Sequence, residues 1–474
     1  MSNPKIPSLA TKLGFGFGSV AYGVKNNGFD YFLLIFYSQV LGVDAPLVGL
    51  ALLIALSVDA ISDPLVGYFS DNTHSRWGRR HPWMYAAIIP ITFAYYFLWS
   101  PPNGLTGNEL FPYLLVLSIT IRLLITFYEI PCSGLIPEIT DDYDQRTSLV
   151  SFRVFFGWLG GITIAVTALS TFLVPTDTIA NGLMNAGGYG TYGLWASGLI
   201  FLSMSVCALS THRLIPHLKA PPPKAPMSVG RIFGEIKETL SNRSFFAVFG
   251  TALFLAIATG LVGGLNFYFN GFFFEFTTDQ MALISMSGLL SALLALIFTP
   301  RISRRLGKKR AAIIVGIAAC LALPLPMLLR LFGLFPENGD PMLLPVKLAL
   351  SVISTSLVIS FQMTLVSMVA DLAEDSEVRT KRRSEGVFFA ATTFTTKAVQ
   401  GLGLLAATTV LTLAEFPTGV SPGDVPEDAL FRLGAYYVPA IFIIFLGSLV
   451  CLRFYKIDRN SHAKNLSTLA DAKS

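Results

Sequence analysis

The sequence is poor in charge, cysteine and histidine. Of its 474 residues, 13% are Asp, Glu, Lys or Arg, whereas about a quarter are charged in soluble proteins. The four cysteines all lie in apolar runs, which indicates buried side chains rather than a disulfide set or a metal site. HExxH, GxSxG and P-loop motifs are absent, and the connections are too short for a soluble catalytic domain. We therefore predict that the chain is not an enzyme and carries no cofactor.

Apolar residues dominate instead: 53% of the chain is hydrophobic and 12% is aromatic. A membrane-spanning helix needs about 20 mainly apolar residues, whereas barrel strands are about half as long and alternate with polar residues. The sequence predicts an all-α membrane protein with 12 transmembrane helices. The corresponding apolar runs start near residues 15, 46, 83, 110, 149, 189, 245, 279, 310, 343, 385 and 432.

The connections alternate in charge. "THSRWGRRHPW", "RISRRLGKKR" and "VRTKRR" are basic, whereas "SPPNGLTGNELF" and "FPENGDP" contain no lysine or arginine. By the positive-inside rule the basic set is cytoplasmic, so both termini are predicted in the cytoplasm of a bacterial-type inner membrane. The net charge of +5 is therefore a topology signal and does not predict a nucleic-acid partner. We expect a monomer surrounded by lipid.

The two halves of the chain resemble each other. "SRWGRR" follows the second predicted span and "SRRLGKK" the eighth, while "EITDDYDQRT" follows the fourth and "DLAEDSEVRT" the tenth. Such a repeat is typical of transporters built from two pseudo-symmetric six-helix bundles. The predicted domains are an N-terminal bundle (1–210), a cytoplasmic linker with an amphipathic segment (211–244), a C-terminal bundle (245–455) and a cytoplasmic tail (456–474).

Two aspartates interrupt the second apolar run. Asp59 and Asp63 are four residues apart and therefore share one helix face, and Pro64 leaves the carbonyl of Ala60 without its helical donor. Charges inside a membrane are costly and are usually functional. Their spacing predicts a site for a small cation held by oxygen ligands, or for a shared proton. The alternative is a structural salt bridge to Lys397, Arg153 or Arg122.

Other ionisable residues lie at similar predicted depths. Glu129, followed by Pro131, is either a third cation ligand or a structural partner of Arg122 or Arg153. Lys397 is predicted near mid-bilayer, where it pairs with the aspartates, holds substrate or serves only structure. The first helix carries Lys25, Asn26, Asn27 and Asp30 within two turns, a face suited to hydrogen bonding a solute or simply to contact with water.

The basic residues after the second span form a predicted cytoplasmic gate with the acidic stretch "EITDDYD". Anchoring of topology alone is the alternative. The gate residues predicted in this way are Asp71, Arg76, Arg79, Arg80, Asp142, Arg146 and Arg379.

These motifs resemble a known family. "DAISDPLVGYFSDNTHSRWGRRHPW", "YEIPCSGLIPEITDDYDQRTSLVSFR", "RTKRRSEG" and "TTKAVQG" look like the glycoside–pentoside–hexuronide:cation symporters of the major facilitator superfamily. The resemblance implies the major facilitator fold, and that Asp59 and Asp63 bind Na⁺, H⁺ or Li⁺. It also places the family's fourth-helix acid at Glu129 and its eleventh-helix lysine at Lys397.

The resemblance weakens where the melibiose group of that family binds sugar. Its first-helix lysine–aspartate pair falls on Tyr22 and Gly23, its fourth-helix tryptophan on Ser133, and its fifth-helix arginine on Val154, one residue after Arg153. The predicted substrate-binding residues are Lys397, Arg153, Lys25, Asn26, Asn27 and Tyr22.

We therefore predict cation-coupled symport of a glycoside or sugar-type solute by alternating access. The alternative within transport is an amphipathic lipid, as in the similar animal lysophosphatidylcholine symporters, or another non-sugar organic solute. A remote alternative is a membrane receptor that does not transport, which would leave the intramembrane charges unexplained.

Overall fold

The computed structural model describes residues 7–140, 142–177, 179–217, 243–380 and 385–455. Within these ranges the regular structure is helical, apart from one isolated bridge between Thr176 and Ile179. Most of the predicted linker (211–244) and all of the predicted tail (456–474) lie outside them.

The described residues of the first predicted half contain nine α-helices. They are α1 (Leu9–Phe17), α2 (Ser19–Asn27), α3 (Leu33–Ile35), α4 (Ala45–Asp71), α5 (His81–Trp99), α6 (Phe111–Gly134), α7 (Ile136–Ile139), α8 (Tyr143–Thr167) and α9 (Ala186–His212). Short 3₁₀ turns occur at Gly107–Leu110, Gly182–Met184 and Ile215–His217.

The second predicted half continues in the same way. Its helices are α10 (Arg243–Phe267), α11 (Thr278–Leu306), α12 (Lys308–Ala322), α13 (Leu325–Leu331), α14 (Leu343–Thr380), α15 (Glu385–Leu413) and α16 (Glu427–Arg453). π-Helical turns occur at Gly28–Phe32, Phe36–Val40, Ala168–Phe172 and Tyr268–Phe273.

Each predicted apolar run contains a helix, which confirms the all-α membrane fold. Among the described residues, nine helical segments are long and apolar enough to cross a membrane by themselves. The other three runs correspond to the first segment, which alternates α and π turns, to α5, and to α15. Large apolar side chains such as Phe93, Trp195 and Ile443 are exposed, as expected of surfaces that contact lipid.

The chain forms two compact units. One comprises residues 1–226, 263–285 and 417–425; the other comprises 227–262, 286–416 and 426–474. The first unit thus contains the predicted N-terminal bundle together with short segments from the second half. The predicted domain boundaries stay a prediction.

Glycines bring the first and fifth helical segments of each predicted half into backbone contact. A Cβ on Gly23 of α2 would lie 1.9 Å from the carbonyl oxygen of Gly157 on α8. In the other unit, a Cβ on Gly403 of α15 would lie 2.3 Å from the carbonyl oxygen of Ile257 on α10. Glycine at such contacts lets helix backbones approach closely. The same packing device therefore occurs in both halves, and in the first half it fixes α2 against α8.

Candidate functional site

A threonine joins the two aspartates of α4. Asp59 is 2% exposed and Asp63 is half-buried. The Thr126 hydroxyl of α6 lies 2.8 Å from Asp59 Oδ1 and 3.0 Å from Asp63 Oδ1. A hydroxyl has one proton to donate, so at any moment it donates to only one of these carboxylates. The three side chains form a compact cluster of oxygens, of the kind that small hard cations prefer.

An arginine lies on the other side of Asp59. Arg122, one turn before Thr126 on α6, is 5% exposed, and its Nη1 lies 3.5 Å from Asp59 Oδ2. Its guanidinium carbon is 4.9 Å from the centre of the Phe29 ring, close enough for a cation–π interaction. Arg122 is one of the three alternative structural partners predicted from the sequence, and the structure places it against Asp59; the Lys397 side chain lies outside the described residues.

Glu129 and Arg153 form a second cluster. An Arg153 Nη2 donates to Glu129 Oε1, its Nη1 donates to Ser133 Oγ at 2.7 Å and its Nε to Ser19 Oγ at 3.1 Å. Glu129 Oε2 has no hydrogen-bond partner among the described residues. The structure therefore brings Glu129 to Arg153, the alternative partner on the fifth helical segment, and its role as a third cation ligand stays a prediction.

The polar face of the first helix is only partly exposed. Lys25 is 2% exposed, and its Nζ lies 4.9 Å from the centre of the Tyr22 ring. Asn26 and Asn27 are half-buried, and Asn27 Oδ1 has no hydrogen-bond partner among the described residues. Their predicted contacts with substrate stay a prediction.

A buried ion-pair network lies at the predicted cytoplasmic end. Glu138 of α7 accepts from Arg79 at 2.7 Å and from Arg80 at 3.1 Å, and Arg80 also pairs with Asp71. Arg80 further donates to Ser70 at 3.0 Å. These pairs join the ends of α4, α5 and α7 within one unit. The acidic partner is thus the first residue of "EITDDYD", and the gating role itself stays a prediction.

The remaining predicted gate residues have different surroundings. Asp142 caps α8 by accepting from the Gln145 amide at 2.8 Å, and Arg146 donates to the Thr140 carbonyl at 2.9 Å. Arg76 is exposed and lies over the Trp77 ring. The side chains of Arg379 on α14 and Lys397 on α15 lie outside the described residues.

The sequence-based predictions did not include Thr126, and they gave Arg122 only as one of three alternative partners of the aspartates. Arg122, Thr126 and Glu129 are spaced i, i+4 and i+7 on α6, so they share one face. That spacing was a usable signal. A search for polar residues in phase with Glu129 finds both side chains.

The sequence is similar to those of known transporters. Residues 14–459 match the family described as MFS/sugar transport protein. The isoprimeverose transporter of Lactiplantibacillus pentosus is 26% identical, covering 90% of this chain and 84% of that protein. The sodium-dependent lysophosphatidylcholine symporter 1 of Gallus gallus is also 26% identical, covering 98% and 89%.

Solved structures have the same fold. A D-xylose–proton symporter superposes with a TM-score of 0.59 at 16% identity, covering 94% of this chain and 96% of that one. A bacterial homologue of the human lysosomal transporter Spinster gives a TM-score of 0.64 at 12% identity, covering 97% of both chains.

Proposed function

The chain belongs to the MFS/sugar transport family, and from that premise we propose that it couples downhill entry of a monovalent cation to uptake of a polar, sugar-type solute. Membership makes it an integral membrane transporter and not an enzyme. The proposed site is in a bacterial-type inner membrane with both termini cytoplasmic, and the proposed mechanism is alternating access.

The observation that carries the proposal is the Thr126 hydroxyl placed between Asp59 and Asp63. Two carboxylates this close repel each other unless a cation or a proton offsets their charge. A bound Na⁺, Li⁺ or H⁺ would relieve that repulsion and draw α4 and α6 together through shared oxygen ligands. Cation binding then organises the bundle before the solute is carried, which is the physical content of coupling.

The Glu129–Arg153 cluster supports a hydroxylated solute. Sugar hydroxyls donate and accept, and this cluster offers a carboxylate oxygen without a partner beside a guanidinium. Arg153 is 9% exposed, whereas Val154 is 55% exposed, so the arginine and not the valine faces the interior of the bundle. Ser133 leaves more room there than the tryptophan of the melibiose group, so a different binding mode is expected.

A lysophospholipid-like solute is the second candidate. It is supported by the Gallus gallus relative, which covers slightly more of this chain than the isoprimeverose transporter does at equal identity. An amphipathic solute would place its polar head at the Arg153 cluster and its chain against apolar side chains.

The deciding measurement is thermal unfolding of the purified protein with glycosides, uronides, other organic acids and lysophospholipids, each in sodium and in potassium at fixed pH. A ligand that binds only the folded state raises the melting temperature. A sugar-type solute that stabilises the protein only with sodium supports the proposal. Stabilisation by lysophospholipids alone favours the second candidate, and equal shifts in both salts indicate a proton, which a pH series then tests.

Asp59→Asn tests the cation site. We expect this variant to lose cation-dependent accumulation of solute in proteoliposomes, because the amide cannot replace the carboxylate charge. Asp424→Asn, an identical change in an exposed loop, is the matched control and retains accumulation. Unchanged coupling in Asp59→Asn would contradict the assignment.

A further inference from the structure

Arg122 places a permanent positive charge beside the proposed cation site. It is buried on α6, its Nη1 lies 3.5 Å from Asp59 Oδ2, and its Nε has no hydrogen-bond partner among the described residues. A guanidinium is not deprotonated in proteins, so this charge is present in every state of the carrier. A monovalent cation that binds Asp59 must therefore share the carboxylate with Arg122 or displace it.

The contact with Asp59 is loose. Charge-assisted hydrogen bonds between nitrogen and carboxylate oxygen are usually about 2.7–2.9 Å long, and this one is 3.5 Å. The Phe29 ring supports the guanidinium from the first helix, at 4.9 Å. Because the Phe29 ring can keep a cation–π interaction with the guanidinium, Arg122 can change its carboxylate partner without losing all favourable contacts of its charge.

A second carboxylate is available on the first helix. Asp30, in the π-helical turn Gly28–Phe32, interacts electrostatically with both Lys25 and Arg122. Asp30 directly follows Phe29, whose ring centre lies 4.9 Å from the Arg122 guanidinium, so Arg122 lies near this turn of the first helical segment as well as near Asp59 of α4. Asn26 and Asn27, the predicted solute ligands, are less than two turns before Asp30. The guanidinium connects the cation site to the helix that is expected to contact solute.

We propose that Arg122 is a tethered competitor of the coupling cation. In the cation-free carrier it neutralises Asp59; a bound cation takes its place there, and the guanidinium shifts towards Asp30. Occupancy of the cation site is thereby transmitted to the first helix. This inference rests on the proposed function, because it requires that a cation bind Asp59.

The physical argument gives the sign of the effect. Removing a positive charge 3.5 Å from Asp59 Oδ2 takes away one attraction that competes for this carboxylate, so its attraction for an external cation rises. Coupling energies between groups in direct contact make the expected change roughly tenfold in apparent affinity. Removing Asp30 acts in the opposite direction, because Arg122 then loses an attraction that draws it away from Asp59.

The test is the sodium concentration that gives half of the maximal thermal stabilisation, measured on the full chain in detergent with choline chloride holding the ionic strength. We expect Arg122→Gln to lower this concentration roughly tenfold, Arg122→Lys to leave it near the wild-type value, and Asp30→Asn to raise it. In the Arg122→Gln background, Asp30→Asn should have a much smaller effect.

Asp59→Asn separates the two proposals. If it retains the sodium response, the cation site itself is wrong. If it abolishes the response while Arg122→Gln leaves the sodium dependence unchanged or weakens it, only the role of Arg122 is overturned. Absence of any sodium response in both wild type and Arg122→Gln also overturns it. If Arg122→Gln does not fold, Asp30→Asn tests the proposal by itself. It should raise the sodium concentration for half-maximal stabilisation, since Arg122 without Asp30 binds Asp59 more tightly; an unchanged or lower concentration would overturn the role of Arg122.

Discussion

At the scale of the residue, a single hydroxyl contacts both aspartates of the proposed cation site. Many threonines and serines in the described helices donate to a carbonyl one turn earlier, as Thr120 does to Val116 at 2.8 Å. Thr126, six residues further along α6, instead contacts two carboxylates of the neighbouring helix. Local sequence does not distinguish these two threonines, because the choice depends on which helix packs beside each.

Removing that hydroxyl should weaken cation binding. Thr126→Ala deletes a proposed oxygen ligand and the hydrogen bond that offsets carboxylate repulsion, and hydrogen bonds to charged groups contribute about 1.5–3 kcal/mol. We expect the sodium concentration for half-maximal stabilisation to rise roughly tenfold or more.

Two further variants control this prediction. Thr126→Ser keeps the hydroxyl and should remain near wild type, and Thr120→Ala on the same helix should not change the sodium dependence. An equal sodium dependence in Thr126→Ala and Thr120→Ala would remove Thr126 from the site.

At the scale of the element, close packing of α2 on α8 decides which residues of the first helix can bind anything. Gly23 is aligned with a sugar-binding aspartate of the melibiose group, but a Cβ there would meet the Gly157 carbonyl oxygen at 1.9 Å. Gly23 therefore packs against the backbone of α8, and no side chain at this position can reach a solute. Polar contact between this helix and a solute is therefore expected at other positions, such as the predicted Asn26 and Asn27.

A glycine pair tests the importance of this contact. Gly23→Ala forces α2 away from α8, because the atom that the new Cβ meets is the Gly157 backbone carbonyl oxygen, which cannot rotate aside. Overpacking of this kind costs about 1–3 kcal/mol. We expect a clearly lower melting temperature. Gly198→Ala in α9 meets no atom within 4 Å and should leave the melting temperature unchanged or raise it, since alanine favours helix by up to about 1 kcal/mol. Equal melting temperatures for the two variants would contradict the packing argument.

At the scale of the whole molecule, the sorting of basic loops predicts orientation in the membrane. We expect Asn103→Cys, in a loop without lysine or arginine, to react with an impermeant maleimide in intact bacteria. Arg305→Cys, in a basic loop, should react only after the cells are permeabilised. Both positions are exposed, so accessibility within the protein does not limit the reaction.

The native thiols require a control in that experiment. Cys132 and Cys207 are buried, while Cys320 and Cys451 are less so and are best replaced by serine first. Labelling of Arg305→Cys in intact cells would show that the predicted orientation in the membrane is wrong.

The sequence by itself determined the class of this protein. Apolar runs of spanning length, loop charges and intramembrane carboxylates follow from the cost of placing polar groups in hydrocarbon, and that cost is paid residue by residue along the chain. The all-α membrane fold, the transporter family and the choice of the α4 aspartates as candidate site residues could therefore be predicted from the sequence alone. The pairing of the basic loop with "EITDDYD" was predictable in part, since Arg79 and Arg80 contact Glu138, while gating stays a prediction.

Only the tertiary structure decided the partners. That Glu129 pairs with Arg153, that Arg122 lies against Asp59, and that Thr126 joins the two aspartates depends on the rotation and depth of α6 relative to α4 and α8. The sequence alone was compatible with several pairings of acidic and basic residues, including three alternative basic partners for the aspartates. Packing chose among them, because helix rotation is fixed by many small contacts distributed over residues distant in sequence, such as Gly23 against Gly157.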